Sequence, residues 1–151
     1  MKAVVQRVSR SEIRIKGKTH CRIAGGLLIL LGVHESDTPD DAKSLAEKCA
    51  GLRIFEDNEG KMNLSVKDVD GSAMVVSQFT LYGDTRRGNR PNFMQAARPE
   101  PANQLYQKFV ERLGGALGNG KVVTGVFREM MEVELVNDGP VTIIMETKEH
   151  D

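Results

Sequence analysis

Apolar and polar positions alternate along residues 2–8, where Val4, Gln6 and Val8 interleave with Ala3, Val5 and Arg7. The same alternation returns over 11–15, where Ser11, Ile13 and Ile15 interleave with Glu12 and Arg14. A period of two predicts two short strands, with Ser9-Arg10 as the turn between them. Lys16-Gly17-Lys18 reads as a second turn, and residues 19–23 as a returning strand that ends at Ala24-Gly25-Gly26. Residues 27–33 are almost continuously apolar, the pattern of a strand buried on both faces, and so mark the centre of the sheet.

The period then changes. Thr38 stands as an N-cap before Pro39, and Asp40 and Asp41 place negative charge at the positive end of a helix dipole. Ala42, Leu45, Ala46 and Cys49 follow at helical spacing, which predicts a helix to about Ala50 stopped by Gly51. Cys49 therefore reads as core. Residues 52–55 read as a short strand, 56–61 as a solvated polar loop lacking the ligand periodicity of a calcium site, and 74–79 as a strand ending in polar residues. A second helix opens at Pro101, turns Ala102, Leu105, Tyr106, Phe109 and Leu113 to one side, and ends at Gly114-Gly115. Strands follow over 121–127, 131–136 and 141–145, the last two separated by Asn137-Asp138-Gly139-Pro140, which reads as a hairpin turn. This order predicts a single α/β domain over residues 1–151, with mixed, largely antiparallel sheet and two main helices packed on one face.

At 151 residues the chain is long enough for one well-buried core. Its 21 basic and 21 acidic residues cancel, so no global field draws it to nucleic acid or membrane, and any polyanion site must be local. Cys21 and Cys49 form no CxxC pair or disulfide framework, and no apolar run approaches the roughly 20 residues of a membrane span. A cytoplasmic protein is expected. The local basic patch is the loop between Asp84 and Arg98, with Arg86, Arg87 and Arg90, which suits either phosphate contacts or simple solvation.

Familiar catalytic motifs are absent: there is no Gly-x-Ser-x-Gly elbow, Walker loop, dinucleotide fingerprint or His-Glu-x-x-His. His20, His34 and His150 lack an obvious acid or nucleophile partner and read as surface or structural. The remaining candidate is the polar strand end Ser77-Gln78-Phe79-Thr80, whose backbone N–H groups are suited to stabilise an oxyanion without a titratable residue. Thr80 is a nucleophile in principle, but no base adjoins it in sequence, which favours positioning over attack.

Two separated motifs, Ser77-Gln78-Phe79-Thr80-Leu81 and Asn137-Asp138-Gly139-Pro140-Val141-Thr142, together resemble those of the D-aminoacyl-tRNA deacylases. The resemblance extends over almost the whole chain, including residues 52–55, 60–65 and 88–91. It implies hydrolysis of the ester between a D-amino acid and the 3′-terminal adenosine of tRNA, and of mischarged glycyl-tRNA, by a homodimer with no metal and no cofactor. It further implies that Gly139-Pro140 is a cis peptide that reaches into the other subunit's site and excludes L-amino acids with main-chain carbonyls. Ser77, Gln78, Phe79 and Thr80 would line the catalytic pocket, with Asn137, Gly139, Pro140 and Met130 contacting substrate. Arg86, Arg87 and Arg90 would meet the acceptor stem, and the tRNA's own 2′-hydroxyl would assist the reaction. The chain departs from the family's usual Phe-Gly-Ala at Phe127-Arg128-Glu129, where two long charged side chains replace two small ones, and from Tyr-Ala-Asp at Tyr82-Gly83-Asp84. Two other readings compete: a tRNA-binding module without catalysis, and a small-ester hydrolase with Thr80 as nucleophile.

Overall fold

The computed structural model describes residues 1–148. In chain order the elements are β1 (Lys2–Ile15), β2 (Lys18–Ile23), β3 (Gly26–Gly32), α1 (Pro39–Gly51), β4 (Phe55–Glu56), β5 (Met62–Leu64), β6 (Ser72–Ser77), a 3-10 turn (Phe79–Tyr82), α2 (Pro99–Leu117), β7 (Val122–Thr124) and β8 (Glu132–Glu146). The main sheet runs β2-β1-β3-β6-β7, and β8 pairs with β1. Pairings among β1, β2, β3 and β8 are antiparallel, whereas β3-β6 and β6-β7 are parallel and are bridged by α1 and α2. The mixed α/β architecture agrees with the sequence.

Several boundaries differ from expectation. The strand read over 52–55 is confined to Phe55–Glu56 and that over 121–127 to Val122–Thr124, since only those residues find a pairing partner. Three other differences bear on the site. Residues 2–15 form one strand, not two joined at Ser9-Arg10, because the pairing with β3 through Val8 and with β2 from Ser11 keeps β1 extended across that dipeptide. The turn at Lys16-Gly17 does form, with φ of 53° and 77°, the positive values a tight hairpin needs. Asn137-Asp138-Gly139-Pro140 is no hairpin turn, since both flanking segments run along β1 in one direction as the single strand β8. Lastly, β6 stops at Ser77, and Phe79 begins the 3-10 turn rather than continuing the strand.

The helices follow their signals closely. Thr38 and Asp41 close a reciprocal capping box at α1, with Pro39 in the first turn. α2 begins at Pro99 and continues through Gly114-Gly115 to Leu117, with Gly118 capping at φ 106°. The glycine pair does not end it because Ala116 and Leu117 extend the apolar face and pack against the core. Both helices join Met1, Ala3, Val5, Leu27, Ile29, Leu31, Ala73 and Val75 in one cluster, while Leu28, Met74 and Val76 project to the other side with Val8, Ile13 and Ile23. That alternation confirms β3 as the doubly buried centre.

Phe109 is fully buried between α2 and the sheet. Phe109→Ala is expected to cost about 3–5 kcal/mol in urea unfolding at unchanged m-value. Cys49 is also core, as expected, and burial pushes its thiol up to about 12. A thiol reagent at pH 8 should therefore modify half-buried Cys21 in the native protein and reach Cys49 only on unfolding.

Candidate active site

The candidate site starts where β6 leaves the sheet. Ser77 pairs with Leu31, and the Gln78 N–H donates to the Leu31 carbonyl at 2.8 Å, holding the strand end against β3. The chain then turns across Gly32, where a Cβ would lie 3.1 Å from the Leu81 Cβ and 3.2 Å from the Gln78 carbonyl. A bare α-carbon thus lets the 3-10 turn sit on the strand. The first N–H groups of such a turn have no acceptor within it, and Phe79 and Thr80 occupy those positions.

Beside this turn lies a cavity of about 580 Å³. Ser77, Gln78 and Phe79 form one wall, Phe93, Ala96 and Ala97 a second, and residues 127–131 a third. The second wall is tied to the end of β3 by Ala97 N–H donating to the Val33 carbonyl at 2.9 Å, and Phe93 meets Phe79 edge-on at 5.1 Å between ring centres. Phe79 is 57 % and Met130 88 % exposed, so the rim presents large apolar side chains to solvent. Among the described residues Arg128 and Glu129 are the only ionisable ones lining the cavity. Arg128 has φ 69°, a left-handed conformation that costs a non-glycine residue roughly 1–2 kcal/mol.

Thr80 does not line the cavity. Its hydroxyl accepts a short hydrogen bond from the Gln78 side-chain amide, which engages an oxygen lone pair and offers no base to take its proton. His34 is likewise structural: it is buried, Nδ1 and the Ser36 hydroxyl share a 2.9 Å hydrogen bond, and its ring meets Tyr82 edge-on. His20 is exposed, and His150 lies outside the described residues.

The second half of the site is a bulge in β8. Gln6 pairs with Thr142 and Val8 with Asn137, so residues 138–141 lie opposite the single Arg7 and are thrown outward. The Asn137 carboxamide closes the base: its oxygen accepts from the Val141 N–H at 3.0 Å and its nitrogen donates to the Thr142 hydroxyl at 3.0 Å. Gly139-Pro140 is cis and exposed at the tip. Gly139 has φ 136°, and a Cβ there would lie 2.7 Å from the Val141 Cγ2, so only glycine fits. These residues do not line the cavity of their own chain.

Arg7 supports the bulge from inside and was not singled out from the sequence. It is buried, and its Nε donates to the Asp138 carbonyl at 3.0 Å while Nη1 donates to the Ile54 carbonyl at 2.7 Å. The available signal was a charged residue at the inward phase set by Ala3 and Val5.

In the basic loop, Asp84 and Asn92 exchange backbone hydrogen bonds that close residues 85–91 into a turn. Arg86 folds back on the Asp84 carboxylate with Nε at 3.0 Å and Nη2 at 2.8 Å, whereas Arg87 and Arg90 are exposed. Local positive charge is therefore smaller than the arginine count suggests.

A family model for D-Tyr-tRNA(Tyr) deacylase matches residues 4–146. The chain belongs to this family. It is 54% identical over 147 residues to a D-aminoacyl-tRNA deacylase of Natranaerobius thermophilus, covering 97% of each chain. A relative of the same name from Anaeromyxobacter dehalogenans is 56% identical over 150 residues, with 98% of each covered. Among solved structures, a c-Myc DNA Unwinding Element Binding Protein superposes with a TM-score of 0.94 at 38% identity, covering 99% of this chain and 100% of that one. A probable eukaryotic D-amino acid tRNA deacylase shares the fold, with a TM-score of 0.81 at 15% identity over 95% of this chain and 97% of that one. No helix among the described residues is long and apolar enough to cross a membrane.

Arg7→Ala leaves two carbonyls without their charged donor, and a loss of roughly 2–4 kcal/mol in chemical denaturation is expected. The Arg86 hydrogen bonds hold the Asp84 carboxyl down to about 2. Because the folded value is depressed below the ordinary value of about 3.9, the contact is fully present above that pH and lost as pH falls through about 2. Carboxyl-carbon NMR should show that midpoint for Asp84, and Arg86→Ala should return it toward the ordinary range.

Proposed function

We propose that this chain hydrolyses the ester of D-aminoacyl-tRNA, and of mischarged glycyl-tRNA, as a cytoplasmic homodimer. The single observation that carries the reading is the full-length likeness to deacylases at 54–56% identity in the two relatives named above. In the reaction water attacks the ester carbonyl, the oxyanion collapses, and the 3′-hydroxyl of the terminal adenosine leaves with a proton from the water. The N–H of Phe79, which lines the cavity, receives the developing oxyanion with that of Thr80 next to it at the start of the turn, Ser77 and Gln78 shape the strand end beneath it, and Met130 packs against the adenine.

Gly139 and Pro140 of one subunit present their carbonyls to the other subunit's cavity, where they bind the α-amino group and occlude the space an L-side chain needs. Three features support this arrangement. The tip is exposed and held from below by Asn137 and Arg7. It does not line the cavity of its own chain. Among the described residues β8 also pairs only with β1, leaving the other edge of a 15-residue strand open for association.

A cavity lined by few titratable groups suits assistance by the substrate's own 2′-hydroxyl, which a vicinal ester holds in position. Exposed Arg87 and Arg90, with Arg86 set by Asp84, contact acceptor-stem phosphates. The test is release of D-tyrosine from D-tyrosyl-tRNA with L-tyrosyl-tRNA left intact; equal rates on the two would sink the reading. Replacing the terminal 2′-hydroxyl by hydrogen is expected to slow release on the order of 10²-fold or more, while Thr80→Ala retains most activity. The reverse pattern would identify Thr80 as the nucleophile.

A further inference from the structure

We propose that Arg128 grips the phosphodiester that joins the terminal adenosine of the substrate to the preceding nucleotide. The inference deepens the proposed deacylase reading and rests on it for the identity of the ligand.

Four observations point to an anion at this place. Arg128 is exposed and lines the cavity between Phe127 and Met130. Among the described residues its guanidinium makes no ion pair or hydrogen bond, unlike Arg7, Arg10, Arg14, Arg22, Arg86 and Arg112, which each have an acidic partner, and of the unpaired Arg87, Arg90, Arg98 and Arg128 it is the one that lines the cavity. Its backbone holds a left-handed φ of 69° that glycine would adopt without penalty. Finally, the surrounding wall is apolar and aromatic, a surface on which a nucleobase can pack while its phosphate reaches the rim.

Among the described residues lining the cavity, Glu129 is the one opposing charge. Its N–H donates to the Val126 carbonyl at 3.2 Å, closing the turn that carries both side chains. A carboxylate beside the guanidinium disfavours a second anion, so the site suits one phosphate rather than a run of them. Arginine fits that task through its planar fork of donors, which matches two phosphate oxygens at once.

The test compares two ligands, each carrying D-alanine in a non-hydrolysable 3′-amide linkage: full-length tRNA, and 3′-amino-3′-deoxyadenosine, which has no phosphate. Arg128→Gly suits the left-handed backbone, so a melting temperature at or above that of the parent shows that folding is intact. This variant is expected to bind the tRNA ligand roughly tenfold more weakly and the nucleoside ligand unchanged. The slope of log affinity against log salt should fall by about 0.7, the value for one single-strand phosphate contact. Arg128→Lys should recover part of the affinity. Equal weakening toward both ligands would mean that Arg128 stacks on the base, and no change toward either would mean that it is solvated; each overturns the proposal. If the parent binds the amide-linked tRNA through Arg128 yet never releases D-amino acid from the ester, the deacylase reading falls and the phosphate contact stands.

Discussion

Both edges of β1 are paired, and that constraint shapes everything that reaches the candidate site. One edge carries β3 and then β2; the other carries β8 over nearly its whole length. A strand held on both sides cannot shift its register to relieve a mismatch, so extra residues in β8 must leave the sheet plane. They leave opposite Arg7. A buried guanidinium is costly unless its donors are used, and the carbonyls of Asp138 and Ile54 use them. The outward bulge and the inward arginine are therefore one arrangement: the charge that needs acceptors fixes the loop that supplies one. Val141, buried at the end of the bulge, returns the strand to the core.

How far the sequence revealed this depends on the range of the deciding interaction. The helices were legible because Thr38, Asp41 and the apolar positions of α1 act within one or two turns of each other. Asn137-Asp138-Gly139-Pro140 was legible as a rigid special turn but not as a bulge. Those residues suit a hairpin equally well, and the choice is made by β1, more than 120 positions earlier in the chain. Ser9-Arg10 fails for the same reason, since long-range pairing overrides a local turn composition. The end of β6 was placed two residues too far because Phe79 has strand propensity, while Gly32 on a neighbouring strand provides the room for a 3-10 turn.

Among the candidate site residues, Ser77, Gln78, Phe79 and Met130 meet around one cavity, and Gly139 and Pro140 share an exposed tip elsewhere. Spacing along the chain does not say which of these residues lie together; the separation was implied only by the resemblance, which sends Gly139-Pro140 to another subunit's site. Charge was over-read in a similar way. Counting arginines in the basic loop missed that Asp84, two residues before Arg86, turns that side chain back. Arg128, by contrast, stood out as a departure from a pattern, and its backbone explains the pattern: a left-handed position favours glycine for reasons unrelated to catalysis.

The two halves of the site also differ in what makes them rigid, which bears on how each can work. The Ser77–Phe79 half is fixed by strand pairing to β3 and by packing on Gly32, so its N–H groups hold their direction without help from side chains. The Gly139-Pro140 half is fixed by a network of four polar side chains, Gln6, Arg7, Asn137 and Thr142, around an exposed tip. Discrimination by shape needs main-chain atoms that do not yield when the wrong substrate presses on them. A loop held from within by buried arginine and closed at its base by asparagine meets that need, whereas a mobile turn of the same sequence would accommodate either hand of an amino acid. Under the proposed reading, chiral selectivity is thus a property of the β1–β8 pairing rather than of any reactive group.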